Sequence, residues 1–218
     1  MNSLSSLRCQ FETVADVPKD YFTNVKTIYG RVVRVIDGDT IRVRHCPSRF
    51  FSTGRSFDPN AKRIYDSTLS IRIYGVDCPE LQKRSSDPPS QPFAQEAMDF
   101  TTKLVMGKLV RIKLLRKDQY GRAVGKVETT RKLMMIPPFS RKDISIELIK
   151  RGLATLYTGG GAEYDGNREI LESMQARATR RKLGVWSLGE NMVSPADFKR
   201  QQKGGNRLIP AKSFPQAN

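Results

Sequence analysis

The chain has 218 residues, enough for one domain with extensions or two small domains, and long enough to bury a core. Lys and Arg number 38 against 22 Asp and Glu, a formal charge of +16 that favours phosphate backbones or anionic membranes as partners. The hydrophobic fraction of 38% argues against a broadly disordered chain. Neither a run of about 18 apolar residues nor a secretory signal pattern occurs, so no membrane-spanning segment or secretion is predicted.

Three cysteines, Cys9, Cys46 and Cys78, form no Cys-x-x-Cys pair. An odd count without that spacing argues against a disulfide framework and against a structural zinc site. A reducing compartment follows, so we expect an intracellular protein, cytoplasmic or organellar, with the mitochondrion as one candidate. We also expect a monomer.

The predicted elements begin after residues 1–25, which show no clear period and are interpreted as an N-terminal extension. Alternating or β-branched segments predict five strands, at 27–36, 39–45, 69–76, 109–115 and 122–129. Apolar residues at helical spacing predict helices at 93–106, 143–152 and 167–182. These elements form one predicted domain, 26–190, and residues 191–218 are interpreted as a short helix and a basic flexible tail.

The order of the elements indicates an α+β fold that is mainly β. Strands linked by a short hairpin turn, with helices between later strands, fit a five-stranded barrel of the OB type with about three packed helices. An open α+β sheet would give the same order of elements, so periodicity alone leaves both architectures in place.

Four acids lie at two strand ends. Asp37 and Asp39 flank the first hairpin turn, and Asp77 and Glu80 follow the third strand. Because an antiparallel arrangement can bring these segments to one rim, Asp39 and Asp77 together predict a site for a hard cation such as Ca²⁺. The alternative is purely structural, and for Asp37 we favour it, since aspartate before glycine is typical of a tight turn.

Two arginines stand out among the many bases. Arg72 lies between β-branched residues on the third strand, and Arg122 follows a Tyr-Gly turn. A guanidinium group offers a planar fork that matches two phosphate oxygens. Two arginines, a carboxylate base and a divalent cation suffice for phosphodiester hydrolysis. The alternative for either arginine is a solvated strand face.

Three motifs in order carry a resemblance to a known family. They are Val-Ile-Asp-Gly-Asp-Thr at 35–40, Ile-Arg-Ile-Tyr-Gly-Val-Asp-Cys-Pro-Glu at 71–80 and Asp-Gln-Tyr-Gly-Arg at 118–122. Over about residues 27–188 the sequence resembles the staphylococcal nuclease-like (thermonuclease) family, closest in style to its eukaryotic endonucleases. The resemblance implies an OB-fold barrel and Ca²⁺-dependent, largely sequence-nonspecific cleavage of DNA and RNA.

The resemblance also implies a ligand set and a base. Asp39 and Asp77 correspond to the family's metal-binding aspartates, and Cys78 to the residue that lends a backbone carbonyl. Glu80 corresponds to the general base or water-orienting group. Cysteine stands here where the family usually has alanine or threonine, but a carbonyl ligand does not depend on the side chain, and we interpret the thiol as a small buried group.

The remaining implied residues contact the substrate. Arg72 and Arg122 correspond to the family's arginines that stabilise the transition state. Tyr120 corresponds to a residue that lines the nucleotide pocket, and Tyr157 is placed near the base-binding wall.

Two other functions compete with a nuclease. A catalytically silent module of the same fold would bind nucleic acid or a ribonucleoprotein partner, but such domains typically lose the acids or arginines that are present here. A peripheral membrane protein would need an amphipathic anchor, and residues 199–218 lack an apolar face.

Overall fold

A closed five-stranded barrel forms the centre of the protein in a computed structural model, which describes residues 11–47, 64–129 except 83, 86 and 88, and 141–203. The strands are β1 (Thr27–Asp37), β2 (Thr40–Cys46), β3 (Leu69–Ile73), β4 (Val76–Asp77), β5 (Leu109–Lys117), β6 (Ala123–Thr129) and β7 (Thr155–Leu156). The helices are α1 (Lys19–Thr23), α2 (Ala94–Val105), α3 (Ile144–Lys150), α4 (Arg168–Arg180) and α5 (Pro195–Lys203). No helix in the described ranges is long and apolar enough to cross a membrane.

The barrel runs in the order β1-β2-β3-β6-β5 and closes between β5 and β1. All of its pairs are antiparallel except β3–β6, which is parallel. This arrangement confirms the predicted α+β barrel and excludes the open sheet. A separate pair, β4 and β7, lies outside the barrel.

Alternation along the strands fills the interior of the barrel. In β2 and β3, apolar side chains at every second position are fully buried, among them Ile41, Val43 and Ile71. The positions between them, such as Arg42 and Arg72, face outward and are partly exposed. A period of two with one buried face is what a half-buried strand requires, and it fixes which side chains reach the outer surface.

The turn between β1 and β2 is pressed against α2. A Cβ placed on Gly38 would lie 2.7 Å from Cys78 Sγ and 2.9 Å from Ala97 Cβ, so only glycine fits without movement. Thr101 on α2 donates its hydroxyl to the Gly38 carbonyl at 2.7 Å. The helix therefore fixes the turn that carries Asp39.

Residues 11–23 pack against the barrel, although the sequence pattern indicated only an extension before residue 26. Phe11, Val14 and Val17 are buried in the same core as the strands. The Phe11 N–H donates to Nδ1 of His45 at 3.0 Å, and the two rings stack with their centroids 4.5 Å apart. His45, the penultimate residue of β2, thus anchors this segment to the barrel.

We expect the protein to lose stability between about pH 6.5 and pH 4 because of His45. Burial lowers the pKa of His45 to about 4. In this window the unfolded chain binds a proton that the folded chain does not, so the free energy of unfolding falls with pH and levels off below about 4. The full shift corresponds to a loss on the order of 3 kcal/mol.

Denaturant unfolding of the wild type and of His45→Asn at pH 7 and pH 4.5 measures this contribution. Asparagine retains an acceptor near the position of Nδ1 but does not titrate. The variant should lose less stability than the wild type on acidification. An equal loss in both proteins would contradict the assignment to His45.

Candidate active site

The acids Asp39, Asp77 and Glu80 lie together at one end of the barrel, as predicted. They are called the rim below. β2 pairs with β3 so that Thr40 is opposite Arg72, which places Asp39, one residue earlier, beside the end of β3. The Ile73 N–H donates to the Asp39 carbonyl at 2.8 Å and holds Asp39 next to the end of β3. β4 follows after a two-residue turn and carries Asp77 to the same place.

Arg72 joins the two aspartates. Its Nη1 donates to Asp39 Oδ1 and its Nη2 to Asp77 Oδ1, both at 2.8 Å. Nη2 also donates to the Val76 carbonyl at 3.2 Å. The side chains of Asp39 and Asp77 are only 5% and 3% exposed, and that of Arg72 14%, so the charges are held against each other at the edge of the core.

Asp39 is held ionised despite its burial. Burial alone would raise its pKa, but the charge of Arg72 and the N–H of Cys78, which donates to Oδ2 at 3.0 Å, hold the pKa below its ordinary value. The Thr40 hydroxyl donates to Oδ1 at 3.0 Å. In turn, Asp39 is the main reason that the pKa of Arg72 is raised, against the effect of burial. Asp39 and Arg72 therefore keep their charges at neutral pH.

Glu80 lies next to this pair and is more exposed, with 32% of its side chain accessible. Its backbone is fixed by Gln91, whose Oε1 accepts the Glu80 N–H at 2.8 Å and whose own N–H donates to the Glu80 carbonyl at 2.9 Å. A fixed backbone with a partly exposed carboxylate suits a group that must meet solvent and substrate.

Arg122 is positioned by its own turn and not by the acids of the rim. Asp118 accepts the backbone N–H of Tyr120 and of Arg122, both at 2.9 Å, and its Oδ2 accepts Nε of Arg122 at 2.7 Å. Arg72 is opposite Val124 in the parallel β3–β6 pair, and Arg122 immediately precedes β6, two residues before Val124.

The two tyrosines lie beside the two arginines. The Tyr120 side chain is largely exposed, and the Arg122 guanidinium lies 5.4 Å from its ring centroid. The Tyr157 ring lies 5.6 Å from the Arg72 guanidinium, and the Tyr157 N–H donates to the Gly75 carbonyl at 3.0 Å. The structure thus brings Tyr157 directly to the rim and places Tyr120 beside Arg122.

The donor set fits a hard cation. Asp39 and Asp77 offer carboxylate oxygens from neighbouring positions, and oxygen ligands are those that Ca²⁺ prefers. Within the described residues, no three His, Cys, Asp or Glu side chains are grouped closely enough to hold a metal by themselves. Backbone or solvent oxygens would have to complete the coordination. The described backbone contact of Cys78 is made by its N–H, so its carbonyl ligand remains a prediction.

The Cys78 side chain is a packing group. It is 2% exposed, and burial together with the nearby carboxylates raises the pKa of its thiol well above the usual value. Neither Cys46 nor Cys78 forms a disulfide, and both are buried.

Sequence patterns missed two residues of this site, Gln91 and Lys199. Lys199 Nζ lies 3.0 Å from Asp77 Oδ1 and 2.7 Å from Glu80 Oε1. The five bases and the absence of acids from Lys199 to the end of the sequence predict a solvated tail that begins at Lys199. For Lys199 this prediction is wrong, because α5 extends to Lys203. A glutamine in a loop and a lysine in a basic segment carry no local signal of such contacts.

Comparisons with known proteins identify the family of this chain. A family model described as staphylococcal nuclease homologue matches residues 70–188. Endonuclease Htp3 of Saprolegnia parasitica is 38% identical over 191 residues, covering 87% of this chain and 84% of its own. The protein named probable endonuclease LCL3 of Scheffersomyces stipitis is 34% identical over 201 residues, covering 90% and 82%. That of Pyricularia oryzae is 37% identical over 182 residues, covering 82% and 68%.

The barrel, its acid–arginine rim and these matches define a nuclease. The chain belongs to the staphylococcal nuclease-like family, as the three sequence motifs predicted.

Proposed function

We propose that this protein is a Ca²⁺-dependent, largely sequence-nonspecific nuclease that hydrolyses the phosphodiester bonds of DNA and RNA with water as the nucleophile. The observation that supports it most is the bridge from Arg72 to both Asp39 and Asp77, which sets two carboxylates and a guanidinium side by side at one rim. The formal charge of +16 favours a polyanionic substrate.

Asp39 and Asp77 would hold the cation, with the Cys78 carbonyl as a further ligand. When bound, Ca²⁺ supplies a positive charge that polarises a phosphoryl oxygen. The all-oxygen donor set supports a hard cation over a softer one.

Glu80 orients the attacking water and accepts its proton. As the water oxygen bonds to phosphorus, the bond from phosphorus to the 5′-oxygen breaks. A 3′-phosphate remains, and the departing 5′-oxygen takes a proton from solvent to become a hydroxyl. Glu80 suits this task because its carboxylate is partly exposed while its backbone is fixed by Gln91.

The arginines stabilise the charge that develops on the phosphate. The contacts to Asp39, Asp77 and Val76 use three N–H donors of Arg72, which leaves two of its five, within the described part of the chain, for phosphate oxygens. Arg122, in the turn that precedes β6, supplies a second guanidinium, held in place by Asp118. Tyr120 and Tyr157 flank these groups and offer faces on which a base can stack.

A chelator experiment tests this function. Purified protein is incubated with plasmid DNA and with single-stranded RNA, in Ca²⁺ or in EGTA. We expect both substrates to be cleaved in Ca²⁺ and neither in EGTA. Undiminished cleavage in EGTA would contradict the metal assignment. Binding of both nucleic acids without cleavage in Ca²⁺ would instead favour the catalytically silent module.

A further inference from the structure

Lys199 contacts two acids of the rim, and the proposed nuclease mechanism gives it no role. Its ammonium group lies between two acids of the rim, 3.0 Å from Asp77 Oδ1 and 2.7 Å from Glu80 Oε1. The side chain crosses from α5, more than a hundred residues away in sequence, and 39% of it remains accessible. An ammonium ion has three donors and no acceptor, so two carboxylates are natural partners for it.

Hydrogen bonds hold the N-terminal end of α5 in place, and this helix carries Lys199 to the rim. Ser194 caps the helix, because its hydroxyl accepts the Asp197 N–H at 3.1 Å and donates to the Asp197 carboxylate at 2.6 Å. Gln91, which holds the Glu80 backbone, also donates to the carbonyl of Val193 at 3.2 Å. The Gln91 side chain therefore links the segment that precedes α5 to Glu80, the predicted general base.

The ammonium group and a divalent cation would both contact the Asp77 carboxylate. Asp77 Oδ1 already accepts from Arg72 at 2.8 Å and from Lys199 at 3.0 Å. A Ca²⁺ ion binds carboxylate oxygen at about 2.3–2.6 Å, so an ion on Asp77 would lie a few ångströms from the ammonium and be repelled by it. The contact of Lys199 with Asp77 therefore weakens the binding of a cation to the same carboxylate.

We propose that Lys199 is a positioning residue that holds Asp77 and Glu80 in place and competes with the divalent cation for Asp77, so that metal binding is coupled to release of α5. This inference rests on the proposed metal site. Because coupling between two binding events is reciprocal, Lys199 weakens the affinity for the cation and the cation weakens the docking of α5.

Lys199→Met tests the competition, since methionine keeps an unbranched chain of good helix propensity and removes the charge. Arg200→Met is the matched control: Arg200 is next on the same helix and pairs with Asp197, not with the rim. Isothermal titration calorimetry of the full chains with CaCl₂ should show at least tenfold tighter binding for Lys199→Met than for the wild type. Arg200→Met should stay within about twofold. Equal or weaker affinity of Lys199→Met would overturn the proposal.

Hydrogen exchange of α5 gives a second readout that does not depend on cleavage. In the wild type, saturating Ca²⁺ should speed the exchange of the α5 amides, because the helix loses the Lys199 contacts. In Lys199→Met, exchange should be fast with or without Ca²⁺. Exchange in the wild type that Ca²⁺ leaves unchanged would overturn the coupling.

The two proposals fail in different ways. If neither the wild type nor Lys199→Met binds Ca²⁺, the metal assignment is wrong and the competition falls with it. If the wild type binds Ca²⁺ and Lys199→Met binds it equally well, the metal site stands and only the role of Lys199 is wrong.

Discussion

Replacing Glu80 with glutamine should lower the single-turnover rate of plasmid cleavage in saturating Ca²⁺ by about a hundredfold or more. Glutamine keeps the shape of the side chain but cannot accept the proton of the attacking water, and a positioned acid–base group contributes on this order. The melting temperature should change little, because the Glu80 side chain is partly exposed and its backbone bonds to Gln91 do not depend on the carboxylate.

Glu147→Gln is the matched control for this change. Glu147 also pairs with a base, Arg151, at 2.7 Å, but it does so on α3 and makes no contact with the rim. It should cleave at the wild-type rate. A Glu80→Gln protein that cleaves as fast as the Glu147→Gln protein would show that Glu80 is not the base.

Replacing Arg72 with lysine should reduce the cleavage rate by a similar or larger factor, about 10²–10³-fold, and should also lower the melting temperature. A single ammonium group cannot reproduce the two 2.8 Å bonds to Asp39 and Asp77 and still face a phosphate. Both aspartates are buried, so a weakened partner leaves them poorly compensated, and this costs folding stability. Affinity for uncleaved DNA in EGTA should fall little, because the charge is retained.

Arg111→Lys separates the two effects. Arg111 also makes a close ion pair, with Glu128 at 2.6 Å, but between β5 and β6 and away from the rim. The Arg111→Lys protein should be less stable than the wild type. Below its melting temperature it should still cleave at the wild-type rate. If Arg72→Lys shows the same behaviour, Arg72 has a structural role only.

The alternation of β2 and β3 could be predicted from the sequence, whereas closure into a barrel was implied only by the resemblance to the family. Val43 and Ile71 point inward and Arg72 points outward, and a slip of one residue would exchange these faces. The meeting of Asp39 with Asp77 could be expected as well, since both lie at strand ends of one antiparallel arrangement.

The partners of the arginines could not be read from the sequence. The sequence predicts Arg72 and Arg122 as phosphate ligands. In the structure each of them is also bound to a carboxylate. A guanidinium serves a carboxylate and a phosphate with the same geometry, so its residue type does not say which of them it meets. Burial of the partners decides this, and burial is a property of the folded chain.

Local sequence patterns also could not predict that residues 11–23 and α5 contact the rest of the protein. Phe11 and Val14 are separated by polar residues in a stretch too short to show a period, and their burial depends on contacts with the barrel and His45. Lys199 reaches Asp77 only because of the path taken by the 3₁₀ helix Gly184–Asn191 and the bond from Gln91 to Val193. Contacts between residues so distant in sequence follow from tertiary structure alone.

The most direct test of the account compares plasmid cleavage in Ca²⁺ by the wild type and by Asp39→Asn, prepared in parallel. Asparagine preserves the shape of the buried side chain and removes the charge that faces Arg72 and the proposed cation. We expect the wild type to cleave the plasmid and the Asp39→Asn protein, folded by circular dichroism, not to cleave it. Equal cleavage by both preparations would contradict the assignment of the active site to this rim.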